Sequence, residues 1–305
     1  MTTTPPAGFN ASTELRTALS GVRAVVLDAD GVLIFASQPL PGAVEALGML
    51  EAAGIPYRVV TNFSSAHRAS LADAFSHRSG LPVAPGQIIT AASAAAAHTA
   101  RHHHGQPLYV LASGDALREW AGQRLVSADE ADGPNQRVGA VVIGDAGDDL
   151  SFRNLDIAFR QIRGGAAFVA MHRNPWWVTP RGITLDAGAF VVGLEHALGR
   201  RATVTGKPSP VVFREAVREL AADISTARGS RLRAADVAMV GDDLDSDIAG
   251  ARRAGLRGIL VLTGKTDLAA LDAAEASGRL RGPRRPDAVA PDLLRVVTAL
   301  AESRG

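Results

Sequence analysis

Short apolar runs rich in β-branched residues alternate with amphipathic stretches along most of the chain. The apolar runs predict buried strands at residues 23–27, 57–60, 108–111, 140–143, 166–170, 237–240 and 258–262. The stretches between them predict helices at residues 42–53, 65–77, 114–120, 152–162, 187–198, 210–222 and 245–254. Strands that alternate with helices are typical of βαβ units, which place helices on both faces of a parallel sheet. The pattern therefore predicts an α/β fold.

Composition narrows the class of protein. The chain has 305 residues, of which 47% are hydrophobic, so it can bury a substantial core in one large domain or two ordinary ones. A net charge of +1 gives no electrostatic signal for nucleic acid or an acidic membrane. There is no cysteine, no secretory signal pattern and no apolar stretch of membrane-spanning length. We expect a soluble, cytoplasmic protein with no nucleic-acid or membrane partner.

Asp28 and Asp30 lie at the carboxyl end of the first predicted strand, where ligands gather in open α/β sheets. Two carboxylates this close repel each other unless a cation or a proton offsets their charge, and Mg²⁺ prefers such oxygen ligands. Asp28 could then attack phosphorus as a nucleophile, and Asp30 could pass a proton to the leaving group. The alternative is a turn in which Asp and Gly supply only loop geometry.

Three further polar clusters follow predicted strands or precede a helix. Thr61 and Asn62 can donate hydrogen bonds to phosphate oxygens, although an ordinary strand-to-helix turn would have similar residues. Lys207, between a glycine and a proline, is one of only two lysines in an arginine-rich chain, which favours a role for a compact positive charge over simple surface exposure.

The third cluster has four carboxylates at positions 242, 243, 245 and 247, directly after the predicted strand 237–240. Such a group fits a metal-binding loop, and the alternative is an acidic helix N-terminus. The acidic segment that begins at Asp145 also follows an apolar strand, so it has the same sequence pattern as this metal-binding loop. It precedes Lys207 in the chain, so we interpret it as a turn in an inserted domain.

Two aromatic and histidine-rich segments are less specific. Residues 172–177 contain His172, Arg173 and two of the chain's three tryptophans in one proline-flanked loop, which suits either substrate contact or packing. His102, His103 and His104 end an alanine-rich helix. Adjacent histidines do not share a helix face, so we interpret this tract as an exposed helix end rather than a metal site.

In their order along the chain, the motifs at 28–32, 61–62, 206–208 and 241–247 resemble the four motifs of the haloacid dehalogenase (HAD) superfamily. Asn62 and Lys207 are 145 residues apart, which leaves room for a whole domain between the second and third motifs. This spacing resembles the NagD-like, or para-nitrophenylphosphatase-like, subfamily. The resemblance implies a Rossmann-like parallel-sheet core at 1–97 and 201–305, with an inserted α/β cap domain at 98–200.

The resemblance also implies a mechanism. A Mg²⁺-dependent phosphatase of this kind hydrolyses a small phosphorylated metabolite through an aspartyl-phosphate formed on its first aspartate, Asp28. The implied metal ligands are Asp28, the backbone carbonyl of Asp30, and Asp242, while Asp243 and Asp247 hold a metal-bound water or support the ligands. The implied roles of the remaining motif residues are proton transfer by Asp30 and phosphate binding by Thr61, Asn62 and Lys207.

Segments 168–173 and 188–195 are most similar to the branch that contains phospholysine phosphohistidine inorganic pyrophosphate phosphatase. The substrate therefore stays open between a small phosphate ester, a phosphoamino acid and pyrophosphate, and a phosphotransferase, a mutase or a non-catalytic binding protein remain alternatives. The resemblance places residues 172–177 over the active-site mouth, so His172, Arg173 and Trp176 are predicted to determine specificity. Relatives often dimerise through the cap, which favours a homodimer.

Overall fold

Fourteen strands and eleven α-helices make up the residues that the computed structural model describes, namely 11–179, 182–228 and 231–303. The strands are β1 (Ala24–Leu27), β2 (Ile34–Phe35), β3 (Gln38–Pro39), β4 (Tyr57–Thr61), β5 (Ile88–Thr90), β6 (Leu108–Leu111), β7 (Ala140–Ile143), β8 (Ala167–Ala170), β9 (Trp176–Thr179), β10 (Gly182–Leu185), β11 (Thr203–Val204), β12 (Val237–Gly241), β13 (Arg257–Val261) and β14 (Ala288–Ala290). The helices are α1 (Ala11–Leu19), α2 (Ala43–Ala52), α3 (Arg68–Ser79), α4 (Ala91–His102), α5 (Ala128–Ala131), α6 (Phe152–Arg163), α7 (Ala187–Leu198), α8 (Pro210–Arg228), α9 (Ala249–Arg253), α10 (Leu268–Ala276) and α11 (Leu293–Glu302). Within these residues, no helix combines the length and the apolarity that crossing a membrane requires.

The first compact unit contains residues 11–61, 71–89 and 213–303 and is built on a six-stranded sheet. The strand order is β14-β13-β12-β1-β4-β5, and β1 pairs in parallel with both β12 and β4. Every residue of β1 and β12 is buried, because apolar side chains cover both faces of the sheet. This is the parallel-sheet α/β core that the sequence pattern predicted.

The order of the strands creates a switch point beside β1. From β1 the chain continues to β4 and β5 on one side of the sheet, and later adds β12, β13 and β14 on the other side. The connections that follow β1 and β12 therefore lead to opposite sides of the sheet. Open α/β sheets bind their ligands in this position.

The second compact unit contains residues 62–70 and 90–212 and has its own parallel sheet, in the order β11-β8-β7-β6. Apolar side chains of α6 and α7 pack against strand residues such as Val141 and Ile143. Those of α4 pack against the alternate residues, such as Ala140 and Val142, which lie on the opposite face of the sheet. β9 and β10 form a separate antiparallel hairpin. The domain boundaries predicted from the motif spacing, 1–97 with 201–305 and 98–200, stay a prediction.

Several elements differ from the sequence-based prediction. Residues 128–131, which lay outside the predicted elements, form the helical turn α5, because Ser127 and Glu130 cap it reciprocally. Residues 172–177, predicted as a loop, run into the hairpin strand β9. The predicted helix at 245–254 consists of a π-helical turn, Leu244–Ile248, followed by α9. Short helices near the chain ends, such as α1 and α11, lay outside the predicted elements.

We expect one buried hydrogen bond to stabilise the second unit measurably. The indole N–H of the fully buried Trp120 donates to the hydroxyl of Thr99 at 3.0 Å, and this hydroxyl donates to Gln123 at 2.8 Å. Thr99→Val removes the hydroxyl at nearly constant volume and should lower the free energy of unfolding by about 1–3 kcal/mol, the usual cost of an unpaired buried polar group. Urea unfolding followed by circular dichroism measures this loss.

Thr17→Val is the matched control for this prediction. The Thr17 hydroxyl is exposed and donates only to a backbone carbonyl in its own helix. Its removal should change the free energy of unfolding by less than about 0.5 kcal/mol. Equal stability of the two variants would contradict the assigned contribution of the Thr99 hydroxyl.

Candidate active site

Asp28, Asp242 and Asp247 converge at the switch point of the first unit. The register of β1 and β12 pairs Leu27 with Val240, and the backbone N–H of Asp28 donates to the Val240 carbonyl at 2.9 Å. Asp28 and Asp242 thus lie directly after the ends of two neighbouring strands. One carboxylate oxygen from each of the three aspartates lies within 4.8 Å of the other two.

Asp247 reaches this group because the chain makes a π-helical turn after β12. The turn begins at Asp243, whose carboxylate accepts hydrogen bonds from the N–H groups of Asp245 at 2.8 Å and Ser246 at 3.2 Å. Gly241 makes room for the returning side chain, since a Cβ at Gly241 would lie only 2.4 Å from the Cβ of Asp247. The sequence predicted a supporting role for Asp247, whereas the structure places its carboxylate beside those of Asp28 and Asp242.

Two glycines surround the Asp242 carboxylate closely. A Cβ at Gly31 would lie 2.3 Å from Asp242 Oδ2, and a Cβ at Gly264 would lie 2.0 Å from the same atom. The N–H of Lys265 donates to Asp242 Oδ2 at 2.6 Å. Sequence reasoning assigned no role to Gly264 or Lys265. For Gly31, the sequence signal was its position directly after Asp30. The φ of Gly31 is +78°, a value that favours glycine.

All three converging aspartates are buried. Three buried carboxylates in this proximity repel each other strongly unless a bound cation or protons offset their charge. Their donors are oxygen atoms only, which is the ligand type preferred by hard cations such as Mg²⁺. The donor set therefore fits a divalent cation.

The negative charge of the Asp243 carboxylate is offset by the ammonium of Lys265. Burial alone would raise the pKa of the Asp243 carboxyl, but hydrogen bonds from the ammonium of Lys265 and from the N–H of Asp245 lower this pKa below its ordinary value. Asp243 is therefore ionised at neutral pH. It holds the π-helical turn and the Lys265 side chain in place.

Asp30 and Thr61 lie at neighbouring strand ends of the same unit. Asp30 is exposed, forms an isolated bridge with Ile34, and does not belong to the group of three converging carboxylates. Thr61 is the last residue of β4, and the register that pairs Leu27 with Val59 puts the ends of β1 and β4 side by side. Thr61 is buried.

Asn62 and Lys207 meet within the second unit. The Asn62 side chain accepts a hydrogen bond from the backbone N–H of Lys207 at 2.7 Å and donates one to the Lys207 carbonyl at 3.0 Å. Gly206 allows this approach, because a Cβ there would lie 2.7 Å from Asn62 Oδ1. The sequence named both residues as phosphate ligands, and the structure adds that Asn62 holds the backbone of Lys207.

His172 is buried, with only 2% of its surface exposed. Its Nε2 lies 2.9 Å from the Ser64 hydroxyl and 3.7 Å from an Asp186 carboxylate oxygen. Burial lowers the pKa of His172 in spite of the nearby charges of Asp186 and Asp145, so the ring is neutral at pH 7. Asp145 itself accepts a hydrogen bond from the N–H of Gly147 at 3.2 Å, which makes a local turn.

Arg173 and the tryptophans are more exposed than His172. The guanidinium of Arg173 donates to the buried Glu195 at 2.7 Å, and Arg201 reaches the same Glu195 oxygen at 3.0 Å. Trp176 and Trp177 are 55% and 40% exposed at the start of the β9–β10 hairpin. Both alternatives for this segment, substrate contact and packing in the cap or a dimer contact, stay predictions.

Comparisons with known proteins agree on one family. A profile described as haloacid dehalogenase-like hydrolase matches residues 25–124, and one described as HAD-hydrolase-like matches residues 204–296. The chain is 32% identical to phospholysine phosphohistidine inorganic pyrophosphate phosphatase from Xenopus laevis over 253 residues, which cover 81% of this chain and 85% of the relative.

Solved structures of two phosphatases are similar over most of their length. The p-nitrophenyl phosphatase from Archaeoglobus fulgidus superposes with a TM-score of 0.77 at 28% identity, covering 91% of this chain and 99% of that one. The magnesium complex of glycerol phosphate phosphatase from Mycobacterium tuberculosis has a TM-score of 0.72 at 32% identity, covering 92% and 77%. The resemblance that the motifs predicted is confirmed.

Gly31→Ala should weaken binding of a divalent cation. The new methyl group would meet the Asp242 carboxylate, and the left-handed backbone of Gly31 adds strain of about 1–2 kcal/mol. We expect Mg²⁺ affinity, measured by calorimetric titration, to fall at least about tenfold, as when the supports of a metal ligand are lost.

Gly54→Ala is the control, because Gly54 also has a positive φ, of +60°, but an added Cβ there meets no atom within 4 Å. This variant carries similar backbone strain and should bind Mg²⁺ as the unaltered protein does. If both variants lose affinity equally, strain rather than the contact with Asp242 is responsible.

Proposed function

The chain belongs to the haloacid dehalogenase-like hydrolase family and is a phosphoric monoester hydrolase of that family, and we propose that it is a Mg²⁺-dependent phosphatase that acts through an aspartyl-phosphate. The observation that supports this proposal most is the buried group of Asp28, Asp242 and Asp247 at the switch point of the sheet. A bound cation would offset the electrostatic cost of holding three carboxylates together, as the proposed mechanism requires.

The residues of the group suit Mg²⁺. Asp28, Asp242 and Asp247 would hold the ion with carboxylate oxygens, and the backbone carbonyl of Asp30 is the further ligand that the family resemblance suggests. When bound, Mg²⁺ neutralises charge on the phosphoryl oxygens. The hydrogen bond from the Lys265 N–H to Asp242 fixes the orientation of that carboxylate.

In the first proposed step, a carboxylate oxygen of Asp28 attacks the phosphorus atom of the substrate. The bond between phosphorus and the leaving oxygen breaks as the bond to Asp28 forms. Asp30, protonated at this stage, gives its proton to the leaving oxygen, so the alcohol departs neutral. The exposed position of Asp30 at the same strand end suits a group that exchanges protons with substrate and solvent.

In the second proposed step, a water oxygen attacks the phosphorus atom of the aspartyl-phosphate. The bond between phosphorus and Asp28 breaks, which regenerates the Asp28 carboxylate. Asp30, now ionised, accepts the proton that the water loses. Inorganic phosphate leaves, and Asp30 is protonated again for the next cycle.

We assign phosphate binding to Thr61, Asn62 and Lys207. Thr61 ends the strand next to β1, and Asn62 follows it in the chain. The Asn62 amide bonds to the backbone of Lys207, which restricts where the lysine ammonium can reach. Such positioning and charge neutralisation account for most of the rate enhancement in phosphoryl transfer.

A small phosphate ester is the proposed substrate class, in keeping with the p-nitrophenyl and glycerol phosphate phosphatases among the similar structures. The second candidate class comprises phosphohistidine, phospholysine and pyrophosphate, which the 32% identity to the Xenopus laevis relative supports. A phosphate-release screen of the purified protein with Mg²⁺ distinguishes these classes. It should include sugar phosphates, nucleotides, phosphoglycolate, pyrophosphate and both phosphoamino acids.

Asp28→Asn should abolish turnover. We expect kcat for p-nitrophenyl phosphate hydrolysis to fall by at least about a hundredfold, because an amide is a poor nucleophile and a poor cation ligand. In the unaltered protein, borohydride added during turnover should reduce the aspartyl-phosphate and convert residue 28 to homoserine, which peptide mass spectrometry detects.

Asp148→Asn is the control, since Asp148 is an exposed carboxylate in the turn after β7 and has no proposed role. Its activity should match that of the unaltered protein. An Asp28→Asn variant with more than a few per cent of the original activity would refute the nucleophile assignment. Absence of phosphate release from every substrate in the screen would favour the non-catalytic alternative.

Arg173 is proposed to contact a negatively charged leaving group. Arg173→Ala should raise KM for the best substrate severalfold and leave Mg²⁺ affinity unchanged. Arg201→Ala is the matched control, because Arg201 bonds to the same Glu195 oxygen and its loss disturbs the same ion pair. Equal KM values in the two variants would show that Arg173 has a structural role only.

A further inference from the structure

The segment that contains Asn62 is hydrogen-bonded at two points to other parts of the second unit. The Asn62 side chain exchanges hydrogen bonds with the backbone N–H and carbonyl of Lys207, at 2.7 and 3.0 Å. Two residues later, the hydroxyl of Ser64 is hydrogen-bonded to Nε2 of His172 at 2.9 Å. Segment 62–64 therefore connects His172 with Lys207.

The backbone closes this connection into a ring. Gly206 and Met171 directly precede Lys207 and His172 in the chain, and the N–H of Gly206 donates to the Met171 carbonyl at 2.7 Å. Gly206 allows this contact, because a Cβ there would lie only 2.5 Å from the Met171 carbonyl oxygen. We call this closed ring of covalent and hydrogen bonds the ligand ring, because it contains two of the proposed phosphate ligands. Its members are residues 62–64, 171–172 and 206–207.

The contact between Ser64 and His172 is the link of the ligand ring that joins two side chains. Both residues are buried, with 5% and 2% of their surfaces exposed, so water does not readily replace the bond. An Asp186 carboxylate oxygen lies 3.7 Å from Nε2, beyond hydrogen-bond length, and Nδ1 has no hydrogen-bond partner among the described residues. The polar contact that orients the imidazole is therefore the one with Ser64.

We propose that His172 is a positioning residue, which acts through Ser64 to hold Asn62 and Lys207 in the arrangement that binds phosphate and does not itself touch the substrate. The inference rests on the proposed function, in which Asn62 and Lys207 bind the phosphoryl group. Loss of the contact between Ser64 and His172 opens the ligand ring, so the two phosphate ligands gain freedom to move. Small displacements of groups that position a substrate are costly.

This role differs from the direct part in substrate specificity that the sequence predicted for His172. A residue that contacts the leaving group changes KM by an amount that depends on the leaving group. A residue that positions the phosphate ligands affects all phosphate esters alike, and it also affects inorganic phosphate, which has no leaving group. Binding of inorganic phosphate therefore separates the two roles.

Phosphorus NMR titration of inorganic phosphate with the Mg²⁺-loaded full chain measures this effect without turnover. Ser64→Ala removes only the hydroxyl, and His172→Phe removes the ring nitrogens at similar size. Each should weaken phosphate binding about five- to thirtyfold, which corresponds to one buried hydrogen bond, and leave Mg²⁺ affinity unchanged. The double variant should bind phosphate about as weakly as either single variant, because both changes act through one bond. Ser64→Thr keeps the hydroxyl and should restore most of the affinity.

Thr99→Val is the matched control, because it also removes a hydrogen-bonded hydroxyl from the interior of the second unit, but Thr99 is not a member of the ligand ring. It should lower stability and leave phosphate affinity unchanged. The inference is overturned if Ser64→Ala and His172→Phe bind phosphate like the unaltered protein, or if Thr99→Val loses as much affinity as they do. A change of KM for only one of p-nitrophenyl phosphate and glycerol phosphate would also overturn it.

Failure of the proposed function gives a different result. An unaltered protein that binds Mg²⁺ but no inorganic phosphate would refute the assignment of Asn62 and Lys207 as phosphate ligands, and the inference with it. Phosphate binding that is the same in the unaltered protein and in the Ser64 and His172 variants would refute the inference alone.

Discussion

The mutual repulsion of three buried carboxylates determines how the carboxyl end of the first sheet is built. Pairing of β1 with β12 brings Asp28 and Asp242 to neighbouring strand ends, and a π-helical turn returns Asp247 to them. Gly31 and Gly241 are needed because no side chain fits beside these carboxylates. Such an arrangement needs a cation or protons to offset its charge, so the proposed metal binding and the local backbone depend on the same constraint.

Much of the fold could be predicted from the sequence because local signals and tertiary structure agree. β6 and β7 have the predicted bounds, since each is an isolated apolar run of strand length. α7 also has its predicted bounds, because Asp186 caps its beginning and Gly199 takes the left-handed conformation at its end. The approach of Asp28 to Asp242 followed from placing both after parallel strands.

The features that escaped prediction depend on geometry that residue spacing does not encode. The position of Asp247 depends on a π-helical turn, which is stabilised by hydrogen bonds from the N–H groups of Asp245 and Ser246 to the Asp243 carboxylate. A single π-helical turn leaves no periodic pattern in the sequence. The hairpin that begins at Trp176 was missed because Trp176, Trp177 and most of β10 are exposed, so its strands lack the buried apolar pattern of the predicted strands.

The two hydrogen bonds between the Asn62 side chain and the backbone of Lys207 join positions 145 residues apart. The chain between them therefore forms a closed loop, whose first and last residues are hydrogen-bonded to each other. The entropy of closing such a loop depends only weakly on its length, at about 0.6 kcal/mol for each doubling. The part of this segment at 91–206 can therefore change in length at little entropic cost while Asn62 and Lys207 keep their distance, whereas residues 71–90 cannot, because they supply α3 and the sheet strand β5.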